Sequence, residues 1–335
     1  MDDWIEDLPK LDLHVHLDGS LRLATLTELA ACLPEGRRFP DDLDLEQAVT
    51  PPMRCSLEEY LRSFEYTVEV LQDSASLERA ALELCEDAAS ENVVYLEMRF
   101  APLLHTKYGL SPREVVTSVL AGMHAAETRL PIHARLILSA MRNESRERSV
   151  EVAQLAAQFR KKGVVGFDLA GPEHNYPPIL HKTAIGFAHD VGLHLTLHAG
   201  EGCCPEQIRE VIDLGTDRIG HGIYLDHDPS ALERVIKDGI PLELCPTSNL
   251  QVSGRMKRYA DHPLDSFRKQ GIRVTVNTDN RLMSQTSCTR ELRVMVDAFD
   301  LSRDDVRQLL QNSIDAAFCD DETRAAVQQK VDAAF

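Results

Sequence analysis

Leu11-Asp12-Leu13-His14-Val15-His16-Leu17 is the stretch from which the rest of this 335-residue chain is read. Successive side chains on a strand point to opposite faces. Leu13, Val15 and Leu17 therefore share one face and His14 and His16 the other. The apolar face can meet a covering layer of helices, and both imidazoles can face one metal ion.

Seven further runs outward from this one have the length and apolar content of strands covered on both faces. They are residues 93–100, 132–140, 164–169, 194–198, 218–223, 240–245 and 273–277, beside 11–17 itself. Helical spacing separates them. Residues 76–91 place Leu77, Ala81, Leu84, Cys85 and Ala88 on one stripe. Ser111-Pro112-Arg113-Glu114 resembles a capped helix start with proline at the first helical position, and 145–162 and 229–238 read as helices too. No Gly-, Pro- or Ser-rich linker divides the chain. Strand–helix alternation repeated eight times predicts an α/β fold of the (β/α)8 TIM-barrel type, one catalytic domain over residues 1–335. Residues 22–60 exceed a simple strand-to-helix connection and predict short helices over the barrel mouth; the tail after Ser302 predicts helices packed outside. A doubly wound sheet is the alternative architecture, but the glycine-rich phosphate loops that often mark it are absent.

Polar residues fall at the C-terminal ends of these strands, where barrel active sites are built. His14 and His16 end strand 1, His198-Ala199-Gly200-Glu201 follows strand 5, Gly220-His221-Gly222 lies in strand 6, and Asn277-Thr278-Asp279-Asn280 ends strand 8. A carboxylate at the end of an apolar strand is costly to bury unless paired or metal-bound. His14, His16, His198 and Asp279 thus form a candidate metal site. Three imidazoles and one carboxylate suit Zn²⁺, one ion per chain, and Fe, Co and Mn take the same donors. Glu201 and His221 are titratable neighbours. His105, His124, His133, His174, His181, His189, His194, His227 and His262 are read as structural or surface residues.

Lys and Arg total 36 against 54 Asp and Glu, a formal charge of −18. That disfavours a basic nucleic-acid groove and adhesion to anionic membranes. No apolar run approaches the roughly 20 residues of a membrane span, and the acidic start Met1-Asp2-Asp3-Trp4-Ile5-Glu6-Asp7 lacks the features of a secretory signal. The eight cysteines are scattered with no C-x-x-C pair, including the vicinal Cys203-Cys204, and read as free thiols in a reducing cytoplasm.

Six motifs in order resemble the adenosine deaminase family: His14-Val15-His16-Leu17-Asp18-Gly19-Ser20, Phe167-Asp168-Leu169-Ala170-Gly171, His198-Ala199-Gly200-Glu201, Gly220-His221-Gly222, Cys245-Pro246-Thr247-Ser248-Asn249 and Asn277-Thr278-Asp279. The resemblance implies hydrolysis of adenosine and 2′-deoxyadenosine to inosine and 2′-deoxyinosine with release of ammonia, by attack of zinc-activated hydroxide at purine C6. It makes His14, His16, His198 and Asp279 the zinc ligands and Glu201 the acid that protonates purine N1. His221 resembles the residue that holds and helps deprotonate the metal-bound water. The Gly171 backbone N–H resembles the donor to purine N3, and Asp18 the acceptor for a ribose hydroxyl. His16 borders the substrate as well as the metal. The partner implied is a purine nucleoside, and a phosphorylated nucleotide would meet Asp18 at the ribose end.

One position departs from the family pattern of two aspartates and a proline: here the run is Asp279-Asn280-Arg281. Purine N7 accepts, so its partner must donate, and the Asn280 amide always carries donors. Arg281 could bring a cation near the mouth. Asp18, where relatives acting on free adenine often carry Glu, points to the ribose-recognising branch. The rival readings are a sibling deaminase of adenine or of an aminated futalosine-like nucleoside, and a catalytically silent purine-binding protein.

Overall fold

Strand β1, Lys10–His16, is buried along its whole length, as a strand lying between a barrel interior and a helical layer must be. In the computed structural model, which describes residues 4–335, it is followed by β2 (Val93–Phe100), β3 (His133–Met141), β4 (Val164–Ala170), β5 (His194–Ala199), β6 (Arg218–His221), β7 (Leu242–Leu244) and β8 (Val274–Val276). Residues 1–3 of the acidic start lie outside the described residues. Each strand pairs in parallel with its successor. The circle closes between β1 and the residues after β8. The His16 N–H donates to the Asp279 carbonyl (2.7 Å), the Asp279 N–H to the His14 carbonyl (2.8 Å), and the Leu13 N–H to Asn277 Oδ1 (2.9 Å). This is the (β/α)8 barrel expected from the alternation. β7 is shorter than residues 240–245 because Pro241 has no N–H for the ladder.

The interior of the barrel departs from the usual filling of Val, Ile and Leu. Glu97, Arg99, Asp168, Arg218 and Glu243 all point inward and are fully buried. Buried charges persist only when paired, and these are. Glu243 meets Arg99 Nη2 at 2.8 Å and Arg218 Nε at 2.5 Å, while Arg218 also pairs with Glu97. The apolar core lies outside this column, between the strands and the helices.

Two additions shape the ends. Over the mouth lie helices Leu23–Ala31, Leu45–Val49, Leu57–Arg62 and Phe64–Val70, as the length of 22–60 implied. Ser56 and Glu59 form a reciprocal cap that starts Leu57–Arg62. A small separate cluster of Cys55, Leu57, Tyr60, Val252 and Met283 holds that helix down. At the other end, helix Arg303–Ala316 packs outside against β8 and β1. The residues after it do not stay outside. Arg218 Nη1 donates to the Ala316 carbonyl (2.8 Å), Glu97 accepts the Phe318 N–H (2.5 Å), and the Phe318 ring lies 3.5 Å from the Arg218 guanidinium. The tail thus closes the barrel floor, because the ionic column needs capping where the strands begin. Among the described residues no helix is long and apolar enough to cross a membrane.

Candidate metal and active site

His14 and His198 are oriented from behind by carboxylates. His14 Nδ1 lies 2.8 Å from Glu243 Oε2, and His198 Nδ1 2.9 Å from Asp168 Oδ1. Ionised carboxylates only accept, so both Nδ1 atoms carry hydrogen and both Nε2 atoms hold lone pairs. Those lone pairs converge. His14 Nε2 is buried with no partner, and His16 Nε2 and His198 Nε2 face one another at 3.3 Å. Asp279 Oδ1 lies 3.5 Å from His14 Nε2 and 3.4 Å from His16 Nε2. A hydrogen on His16 Nε2 would serve one of these acceptors and still leave His14 Nε2 unpaired, so the donor set fits a divalent metal between them. His14, His16 and Asp279 each offer a ligand atom within 4.8 Å of the others.

The electrostatics favour ligation by His16 and His198; at His14 burial and Arg99 push the imidazole down, but hydrogen bonds to Asp279 and Glu243 outweigh them and raise it, so a metal there displaces a proton. Burial pushes His16 down to about 3 and lowers His198, keeping both imidazoles neutral, as ligation requires. Burial alone would raise Asp279 and Asp168, but adjacent histidines, and Arg99 near Asp168, hold both well below the usual carboxylate range. Asp279 also accepts from Ser248 Oγ at 2.5 Å. Asp279 (φ 62°) and His221 (φ 63°) both hold the left-handed conformation that non-glycine residues rarely adopt, and residues held so cluster at functional sites. Space is tight at Gly220: a Cβ there would lie 3.2 Å from His14 Cε1 and 3.2 Å from His198 Cα, so both histidines would have to give way.

Glu201 sits on the loop after β5, its Oε1 3.7 Å from His221 Nε2. Burial, with the charges of Asp279 and Glu173 nearby, raises its carboxyl well above the ordinary range. The loop is pinned by Glu173, whose carboxylate accepts the backbone N–H groups of Glu201 (3.1 Å), Gly202 (2.9 Å) and Cys203 (3.0 Å). Cys203 and Cys204, read from the sequence as free thiols, are joined by a disulfide, and Cys204 holds a left-handed conformation (φ 62°).

Beside these groups lies a cavity of about 440 Å³ bordered by His16, Asp18, Gly171, Glu201, Asp279 and Asn280. All nine residues singled out in the sequence therefore meet: seven line this cavity, counting His198, while His14 and His221 stand directly behind it. Gly171 has φ 102°. Asn280 lies over Gly19, where a Cβ would fall 1.8 Å from Asn280 Oδ1; only glycine fits there. Arg281 turns away from the mouth and pairs with Glu91, contrary to the expectation of a cation beside the cavity. The carboxylate of Glu91 draws it aside, anchored by the Thr289 N–H (2.9 Å).

Several site residues escaped the sequence reading. Asp168 stood in a motif without a role, as did Arg99 in the run Met98-Arg99-Phe100-Ala101-Pro102, which also resembles the family, and Glu243 and Glu173 carried no signal beyond a charge in an apolar or loop context. His105, read as structural, is fully buried behind Asp18. Its Nδ1 lies 2.8 Å from the Leu71 carbonyl and its Nε2 3.6 Å from Asp18 Oδ2, while Asp18 Oδ1 has no partner.

Comparison with known proteins matches residues 9–334 to the adenosine deaminase family. An adenosine deaminase of Enterococcus faecalis is 37% identical over 335 residues, covering 99% of this chain and 98% of its own. An Arabidopsis N6-mAMP deaminase superposes with a TM-score of 0.90 at 32% identity, over 99% of both chains. An adenine deaminase of Arthrobacter aurescens gives 0.89 at 25% identity, over 97% of this chain and 98% of its own.

Proposed function

The chain belongs to the adenosine deaminase family and hydrolyses adenosine to inosine and ammonia, and from that premise we propose how its residues divide the reaction. His14, His16, His198 and Asp279 hold one zinc ion. The observation that carries the reading is the convergence of their lone pairs beside a buried Glu201 in one cavity. A divalent ion held there supplies water ionised near neutral pH.

The residues around it do the rest. Attack at C6 moves electron density onto purine N1, and a protonated Glu201 meets it with a proton, general acid catalysis worth about 10²–10⁴ in rate. Burial, with the charges of Asp279 and Glu173, raises that carboxyl well above its ordinary range and so favours the protonated form. His221, 3.7 Å from Glu201, holds the attacking oxygen by a hydrogen bond. The Gly171 N–H reaches N3 and the Asn280 amide N7, fixing the ring so that C6 faces the histidines. Asp18 accepts a sugar hydroxyl through its unpartnered Oδ1. Glu58 and Glu65 line the cavity against Arg62 and add to Asp18, a net negative balance that disfavours a 5′-phosphate, so the substrates are nucleosides, adenosine and 2′-deoxyadenosine. The whole of residues 1–335 forms one catalytic unit.

A substrate panel with measured metal content tests this. Zinc-loaded protein should show kcat/KM for adenosine and 2′-deoxyadenosine at least about 100-fold above adenine and AMP, since adenine leaves the buried Asp18 without its hydroxyl partner and AMP brings a phosphate against the acidic lining. Adenine or AMP outcompeting adenosine would overturn the substrate assignment.

A further inference from the structure

A neutral imidazole accepts at one nitrogen and donates at the other, and the choice normally has to be assigned. Around His221 the backbone forces it. The amide N–H groups of Leu264 and Cys245 can only donate. Leu264 donates to His262 Nδ1 at 3.1 Å. The proton of neutral His262 is then on Nε2, which faces Asn249 Oδ1 at 3.2 Å. The Cys245 N–H reaches that same Asn249 atom at 3.0 Å. An atom that accepts from both sides is the amide oxygen, so the other end of Asn249 is its NH2 group. That group lies 2.9 Å from His221 Nδ1. His221 accepts there, and its hydrogen sits on Nε2, buried and without a partner among the described residues. His262 is 4% exposed, and Asn249 and His221 are fully buried, so water does not offer these groups alternative partners. Burial, with Arg255 nearby, pushes His262 down to about 3, which keeps it neutral.

We propose that His262 and Asn249 are positioning residues that fix His221 in the Nε2–H tautomer, so that His221 enters the reaction as a hydrogen-bond donor to the attacking oxygen. Neither residue borders the cavity. The proposal rests on the reading of His221 as a site residue and narrows it: an Nε2 that already carries hydrogen orients the oxygen and stabilises its charge, and does not take a proton from it.

Solid-state ¹⁵N NMR of ¹⁵N-histidine-labelled, zinc-loaded protein tests it without reference to turnover. The result expected is a protonated Nε2 and an unprotonated Nδ1 on both His262 and His221, each assigned by its loss in H262Q and H221Q. Protonation of His221 at Nδ1 overturns the proposal. Kinetics supply the second arm. H262L, which can neither accept from Leu264 nor donate to Asn249, should lower kcat about tenfold, the worth of one net hydrogen bond, with KM within about twofold. H262Q, whose amide can do both, should restore kcat to within about twofold of the parent. Unchanged kcat in H262L, or equal losses in H262L and H262Q, would also overturn it. If H262L does not fold, the spectrum of the parent protein still decides. Deamination of adenosine by the same parent sample keeps a failure here separate from a failure of the functional reading.

Discussion

Glu243→Gln removes the charge at the centre of the barrel while keeping the side chain's volume. Glu243 is fully buried, hydrogen-bonds His14 Nδ1 (2.8 Å), Arg99 Nη2 (2.8 Å) and Thr196 Oγ1 (2.8 Å), and forms an ion pair with Arg218 Nε (2.5 Å). Burial pushes its carboxyl up, but Arg99 and Arg218 outweigh that and hold it well below the ordinary range. Neutralising it leaves two buried guanidiniums short of a counter-charge. Arg99 keeps Asp168 only at 3.7 Å, and Arg218 keeps Glu97. Breaking a buried pair from one side costs about 3–5 kcal/mol, a large part of a typical 5–15 kcal/mol of stability. Calorimetry of metal-free protein should show Tm lowered by roughly 5–15 °C. A second effect follows through His14, which loses the carboxylate that orients its ring. Loss of such an outer partner weakens metal binding about 10–100-fold, so the stabilisation gained on adding zinc should shrink by about 1.4–2.8 kcal/mol. Chelator competition measures the affinity directly. An unchanged Tm together with an unchanged zinc Kd would refute both the ionic column as a source of stability and the role given to Glu243 behind His14.

Other outcomes follow from the cavity. Asn280→Leu, which cannot donate, should raise the barrier in kcat/KM by about 1–3 kcal/mol through an unpaired N7 acceptor, whereas 7-deazaadenosine should not distinguish that variant from the parent; equal losses on both substrates would separate Asn280 from N7. The raised carboxyl of Glu201 gives a sign for pH dependence. Its acid form is consumed as pH climbs through its folded value, so activity falls on the alkaline side, and stability contributed by the buried neutral carboxyl is lost in the same direction. A kcat profile flat from neutral to alkaline pH would contradict Glu201 as the acid. His105→Phe keeps the ring but not the nitrogen 3.6 Å from Asp18. It should raise KM for adenosine about tenfold with little change in kcat, and a loss confined to kcat would show that His105 does not act through the sugar contact.

How far the sequence carried depends on whether a residue's meaning is local. The alternation in residues 11–17 places His14 and His16 together by strand geometry alone, and the strand ends carrying His198, His221 and Asp279 are brought to one rim by barrel closure. The ionic column was not legible. β7 is three residues long, too short for a period to show, and Glu243 gains its meaning from Arg99 and His14, distant in sequence. His105 and His262 look like ordinary helix or loop histidines, because what distinguishes them is a single neighbour each, Asp18 and Asn249. Arg281 was misplaced because its partner Glu91 belongs to another part of the chain.

Under the proposed division of roles, this cavity deaminates adenosine with a bound divalent metal and the proton of Glu201. The most direct measurement follows the absorbance change from adenosine to inosine under single-turnover conditions, with protein of known zinc content, alongside Glu201→Gln. The parent should convert adenosine completely and lose all conversion once zinc is removed, and Glu201→Gln should be slower by about 10²–10⁴ at unchanged zinc occupancy. Conversion at the parental rate by the fully zinc-loaded Glu201→Gln variant, or by metal-free parent protein, would contradict that division of roles.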